Sequence, residues 1–156
     1  MIWYCVYTFL GFDMTAATEA DVRENCAALR VRMAARKLTR LYDKALRPVG
    51  LKITQFTLLI AVEEGRMTSL SALADLLALE RSSLVRNVRL LEEAGLIESV
   101  PTGEGRSLGL KLTRAGRRKL TEALPLWNKA QTSIEKSLGS NWPDVRKSLH
   151  LLIART

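Results

Sequence analysis

The sequence predicts a mainly α-helical chain with one small β-hairpin near its centre. Three observations carry that expectation. Apolar residues recur at helical spacing near both ends of the chain. Two short helical segments meet at a tight connection through Ala78-Leu79. Directly after Gly95 the period changes from helical to alternating.

Taken in order, Glu19 to Leu46 reads as one helix, with Val22, Cys26, Leu29, Met33, Leu38, Leu41 and Ala45 as its apolar stripe. Pro48-Val49-Gly50 stops it, because proline cannot continue a helix and glycine supplies the terminating turn. So long a stripe needs cover, and a second subunit is the natural source. Thr54 is placed to cap a second helix, with Phe56, Leu58, Leu59, Ala61 and Val62 as its apolar positions and Gly65 at its end. Thr68-Ser69-Leu70 reads as a short strand or a cap. Ser71 to Leu77 and Glu80 to Ala94 are the third and fourth helices, and Gly95 ends the fourth. Two short helices joined so tightly form a helix-turn-helix.

The strand-length segments Leu96–Val100 and Leu108–Leu112 flank Pro101-Thr102-Gly103-Glu104-Gly105-Arg106-Ser107 and make a hairpin. A hairpin in that place is a wing, so the expected fold is a winged helix-turn-helix with dimerisation helices at both ends. Thr113 caps a helix from Arg114 to about Leu138, which Pro125 is expected to kink or divide. A turn from Gly139 to Pro143 then precedes a last helix, Asp144 to Ala154. The expected organisation is an arm over 1–18, helical dimerisation segments over 19–48 and 114–156, and the winged region over 49–113.

Length fits one compact domain, or one core with a helical appendage: 156 residues, 47% of them hydrophobic. Twenty-four Lys and Arg against sixteen Asp and Glu leave a formal charge of +8. That surplus favours polyanionic partners, nucleic acid first. Cys5 and Cys26 form neither a disulfide framework nor a zinc spacing, and His150 is the single histidine. No metal site, cofactor site or nucleophile motif can be assembled from these residues, and no Gly-rich phosphate loop is present, so an enzyme is not expected. Met1 to Phe12 is apolar but lacks the charged start of a signal peptide and is too short to span a bilayer. A cytoplasmic protein with reduced thiols and no membrane association is therefore expected.

The fourth helix holds the strongest chemistry. Leu84, Val88 and Leu91 form a buried stripe, while Ser82, Arg86 and Arg89 share another face, flanked by Arg81, Ser83 and Asn87. Arginine presents paired donors that match guanine O6 and N7, asparagine can read adenine, and serine serves base or phosphate. A solvated polar face is the plainer reading of the same residues; the wing that follows tips the balance. Arg106 stands on a loop suited to a narrow minor groove. Lys111, Arg114, Arg117 and Arg118 are candidates for the flanking phosphates.

These residues carry a family resemblance. The ordered set Gly50-Leu51-Lys52-Ile53-Thr54-Gln55-Phe56, Leu73-Ala74, Leu90-Leu91-Glu92-Glu93-Ala94-Gly95-Leu96-Ile97, and Arg106 before Leu110-Lys111-Leu112-Thr113-Arg114-Ala115-Gly116 resembles the MarR (multiple antibiotic resistance regulator) family over roughly residues 20–138. The resemblance implies a homodimer that binds double-stranded, pseudo-palindromic operators as a repressor. It also implies release by a small aromatic or phenolic effector or by cysteine oxidation. Carried over, the DNA-contacting positions are Arg81, Ser82, Ser83, Arg86, Asn87 and Arg106, with Arg89 added from helix geometry. The wing departs from the usual Asp-x-Arg, reading Glu104-Gly105-Arg106, and Gly109 occupies a strand position that prefers a larger residue.

Signal input has three readings. Met33, Tyr42, Phe56 and Trp127 line a ligand pocket, or they are plain core. Cys26 is a redox switch, with Arg23 and Arg30 near enough in sequence to favour its thiolate, or it is inert packing. In the third reading the protein senses nothing and competes for promoter sites. A nonspecific DNA coat and a protein-interaction module are the functions of another class.

The composition break at Asp13-Met14 leads to one prediction. If translation starts at Met14, intact mass spectrometry of natively expressed protein will find no residues 1–13. A hydrophobic arm that packs on a partner subunit requires them to be present.

Overall fold

The computed structural model describes residues 17–65, 69–101 and 108–155. It divides into two units, Met1–Leu38 and Thr39–Thr156. In the first, α1 (Glu19–Asn25) opens with reciprocal capping: Asp21 N donates to Thr18 Oγ1 at 3.2 Å, and Thr18 N donates to Asp21 Oδ2 at 2.9 Å. The Thr18 hydroxyl, and after it the Thr18 backbone N–H, hold the Asp21 carboxyl below its ordinary range.

The helix expected to run unbroken from Glu19 is interrupted. Cys26 takes an extended conformation (φ −66°, ψ 107°), and α2 starts at Ala27 and runs to Leu46, across the boundary between the units. The Arg30 guanidinium donates to the Glu24 carbonyl at 3.1 Å, which satisfies an acceptor freed by the break. Apolar periodicity alone does not register such a break, because the hydrogen bonds Cys26 N to Val22 O and Arg30 N to Cys26 O keep the helical spacing on either side.

In the second unit a 3-10 turn, Arg47–Val49, ends at Gly50 with φ +71°. Next comes α3 (Ile53–Glu63). Thr54 was expected to cap it, yet lies inside the helix, with Lys52 at the cap position. The acceptor for the first N–H comes instead from Asp43 on α2, whose Oδ1 receives Ile53 N at 2.8 Å, while Gln55 Oε1 receives Lys52 N at 3.0 Å. Ser69 caps α4 (Leu70–Leu76) by accepting from Ala72 N, so it is a cap and not a strand residue. The turn into α5 (Arg81–Glu93) holds Ala78 at φ +48°, a left-handed conformation that costs a non-glycine residue on the order of 1 kcal/mol. Gly95, at φ +66°, closes α5.

Strands β1 (Ile97–Pro101) and β2 (Leu108–Leu112) pair antiparallel, from Ile97 opposite Leu112 to Pro101 opposite Leu108. The long α6 (Arg114–Leu138) starts at the predicted cap, Thr113. Pro125 does not divide it. That residue is exposed, and so is Thr121, whose carbonyl would have been its partner, so water can take the unmade bond. After a 3-10 turn, Gly139–Asn141, the last helix α7 spans Trp142–Arg155. The expected turn through Pro143 is thus already helical, because proline at a second helical position loses no hydrogen bond.

The core gathers around α3. Leu58 and Leu59 from it, Leu84 and Leu91 from α5, Leu112 from β2, and Leu46 from α2 are fully buried, with Leu120 and Ala123 of α6 joining the same cluster. A polar clasp fixes α6 against the hairpin. Thr113 Oγ1 donates to Gly95 O at 2.7 Å and accepts from Gly116 N at 3.0 Å, while Thr113 N donates to Leu96 O at 3.1 Å. Buried Gly116 lies so close that a Cβ there would stand 2.0 Å from the Leu96 carbonyl oxygen. Gly116→Ala should therefore lower unfolding free energy by about 2–3 kcal/mol, read as a lower urea midpoint at unchanged m-value.

Candidate nucleic-acid interface

The helix α5 is held by Leu84, Val88 and Leu91, which point into the core and turn the remaining positions outward. Its N-cap residue, Glu80, makes no side-chain capping hydrogen bond, so the first-turn N–H groups are left to outside acceptors such as phosphate. The expected contact residues divide by what they already touch. Arg81 donates to Ser71 Oγ at 3.2 Å and ties α5 to α4. Asn87 is half-buried and its Nδ2 donates back to Ser83 O at 2.8 Å. Arg89 pairs with Glu93 at 2.7 Å, one helical turn on. Ser82, Ser83 and Arg86 are exposed, and their side chains have no hydrogen-bond or ion-pair partner among the described residues. The unengaged chemistry is therefore a guanidinium and two hydroxyls in the first half of α5.

The wing carries that face forward. Ser99 donates to Glu92 Oε1 at 2.6 Å and fixes β1 to the end of α5. Gly109 pairs with Val100 without breaking the register, and it borders a small cavity of about 70 Å³ together with Val62, Leu70, Leu73 and Leu110. Arg106, expected to meet DNA, and Glu104 near it in sequence lie outside the described residues.

The positive surplus is not where the unengaged donors of α5 are. Residues 53–113 hold six basic and eight acidic residues. Residues 27–52 hold eight basic residues and one acid, Asp43, and residues 114–156 hold nine and three. Arg40, Lys44, Arg47 and Lys52 line an open groove of about 540 Å³ on the second unit, and the one carboxylate there is already bound to Ile53 N. Whole-chain charge concealed this cluster, which a running count along the sequence would have shown. Of the downstream basics, Arg117 is paired with Glu63 at 3.2 Å and Lys119 with Glu122 at 3.3 Å.

Two of the four candidate pocket residues come together. Phe56 and Trp127 stack at 6.2 Å between ring centroids and share the wall of a cavity of about 430 Å³ with Ile60, Leu76, Leu77 and Leu124. Tyr42 is not among its lining residues; its hydroxyl donates to Gln131 Oε1, and Gln131 Nε2 passes the chain to Glu135 Oε1 at 2.8 Å. Met33 belongs to the first unit and is exposed. Cys26 is a free, half-buried thiol at the helix break. Among the described residues no cluster of three or more metal-ligating side chains occurs, and no single helix is long and apolar enough to cross a membrane.

A helix-turn-helix followed by a two-stranded wing and a long helix defines the winged-helix class of transcriptional regulators. Residues 49–106 match the family model described as MarR family. The transcriptional regulator MosR of M. tuberculosis, solved in complex with DNA, is 35% identical with a TM-score of 0.75, the match covering 83% of this chain and 95% of that one. A second structure of MosR is 37% identical with a TM-score of 0.72, covering 82% and 93%. A mutant MarR from E. coli complexed with operator DNA has a TM-score of 0.75 at 19% identity, covering 87% and 99%, a likeness of fold alone. No curated protein matches the chain. The chain belongs to the MarR family of winged-helix transcriptional regulators.

The Tyr42 hydroxyl is raised above its ordinary value of 10.0, first by burial and then by the Glu135 carboxylate. A group whose folded pKa is raised adds stability that is present below its unfolded pKa and lost as pH rises through the folded one. Between neutral pH and about pH 10.5, the urea midpoint of the wild type should thus fall further than that of Tyr42→Phe.

Proposed function

We propose that the protein is a homodimeric repressor that binds double-stranded, pseudo-palindromic operators, α5 entering the major groove and the wing the minor groove. The observation that carries this reading is the exposed, unengaged set Ser82, Ser83 and Arg86 on a helix whose other face is locked in the core. Arg86 is the base reader, and Arg81, Ser82, Ser83, Asn87 and Arg89 supply supporting contacts. Arg106 serves the minor groove. The DNA complex of MosR supports this choice of partner.

A second copy of the chain is the cover for the apolar face of α1 and α2. Val22, Leu29, Met33, Leu38 and Leu41 are 36–55% exposed, and Leu149, Leu151, Leu152 and Ile153 of α7 are exposed as well. Large exposed apolar stripes of that kind mark interfaces. Residues 19–48 and 114–156 then make the dimer, and residues 49–113 make the DNA-binding region. The cavity beside Phe56 and Trp127 is the entry point for a small aromatic effector that releases the operator.

Fluorescence anisotropy with the protein's own upstream duplex and a scrambled duplex, across a salt series, tests the reading. Salt-dependent binding that prefers the upstream duplex supports it; equal affinity means a nonspecific coat, and no binding means a protein-interaction module. Arg86→Ala should cost about 1–3 kcal/mol on the preferred duplex and little on the scrambled one. Leu41→Glu should turn a dimer into a monomer by light scattering, and footprinted half-sites should lie about 10 base pairs apart, centre to centre.

A further inference from the structure

The apolar residue Val85 sits on the polar face of α5. It is 46% exposed, although valine gains nothing from water there and is a weaker helix former than the polar residues such a face usually carries. It follows Ser82 by three positions and precedes Arg89 by four, so helical spacing makes it a surface neighbour of both, with Arg86 next in sequence. The other exposed apolar residues of the helix-turn-helix have different settings. Leu76 walls the cavity beside Phe56 and Trp127, and Leu90 lies in the last turn of α5, away from the N-terminal turns by which such a helix enters a groove.

In the major groove, guanine, adenine and cytosine offer hydrogen-bonding groups at their edges. Thymine alone adds a methyl group at C5. A valine has no donor or acceptor and presents two methyl groups. We propose that Val85 is a specificity-determining residue that packs on the C5-methyl of a thymine beside the base pair read by Arg86. This rests on the DNA-reading role of α5 proposed above. It adds discrimination between thymine and cytosine, which a guanidinium directed at a neighbouring guanine cannot supply.

The test uses the full-length protein and the upstream duplex, with each thymine in turn replaced by deoxyuridine in both half-sites. That change removes one methyl group and leaves base pairing intact. Wild-type affinity should fall about three- to five-fold per half-site at one thymine position, the loss corresponding to one buried methyl. For Val85→Ala, the ratio of thymine to deoxyuridine affinity at that position should be close to one, and Val85→Thr, which keeps one methyl, should fall between. Comparing ratios cancels any general loss of affinity, and the exposed position makes misfolding of either variant easy to check by circular dichroism. If no thymine responds in the wild type, or if Val85→Ala responds equally, the inference is overturned while the regulator reading stands. Equal wild-type affinity for upstream and scrambled duplexes overturns both.

Discussion

The close approach of Gly116 to the Leu96 carbonyl is the contact on which the placement of α5 depends. Leu96 follows the glycine that closes α5 and leads into β1, while Gly116 lies in the first turn of α6. The Thr113 hydroxyl bridges the same two segments by donating to Gly95 and accepting from Gly116. Because no side chain stands between the two backbones, the end of α5, the start of the wing and the start of α6 move together. A close-packed, hydrogen-bonded junction of this kind transmits displacement instead of absorbing it.

From that junction α6 meets several other features of the second unit in turn. Leu120 and Ala123 enter the core, Leu124 and Trp127 wall the aromatic cavity, and Gln131 and Glu135 complete the chain from Tyr42. An effector wedged beside Trp127, as proposed, would press on the helix whose first turn is locked to the end of α5. Under the proposed function, this gives effector and operator a common mechanical element, without a pathway of scattered side chains.

Much of this architecture was legible in the sequence, for local reasons. The Thr113 cap and the outer bounds of α6 followed from a capping residue at one end and the Gly139 turn at the other, and Gly95 marked the end of α5 by its left-handed preference. The buried stripe Leu84, Val88 and Leu91 also identified which face of α5 turns outward. What escaped was set by partners distant in the chain or by solvent. Asp43 caps α3 from ten residues upstream, which displaced the predicted cap at Thr54. Pro125 is tolerated because its side of the helix is wet. Within the site, spacing chose the face but could not show that Arg89 is held by Glu93 or that Asn87 turns back on its own helix. The exposure of Val85 escaped for the opposite reason: an apolar residue beside an apolar stripe reads as core until its surroundings are known.

The separation of positive charge from the unengaged face of α5 has a consequence for how such a protein can change. The long helices carry the positive surplus, whereas residues 53–113 have more acids than bases. Under the proposed function, general attraction to a polyanion and choice among sequences are written into different parts of the chain. On that reading, substitutions on the outer face of α5 redirect the protein to a new target while its hold on DNA as a material stays nearly constant. A lineage can thus pass through intermediates that still reach DNA, instead of losing it and having to regain it. Divergence of targets within one fold becomes a sequence of small steps on one short helix.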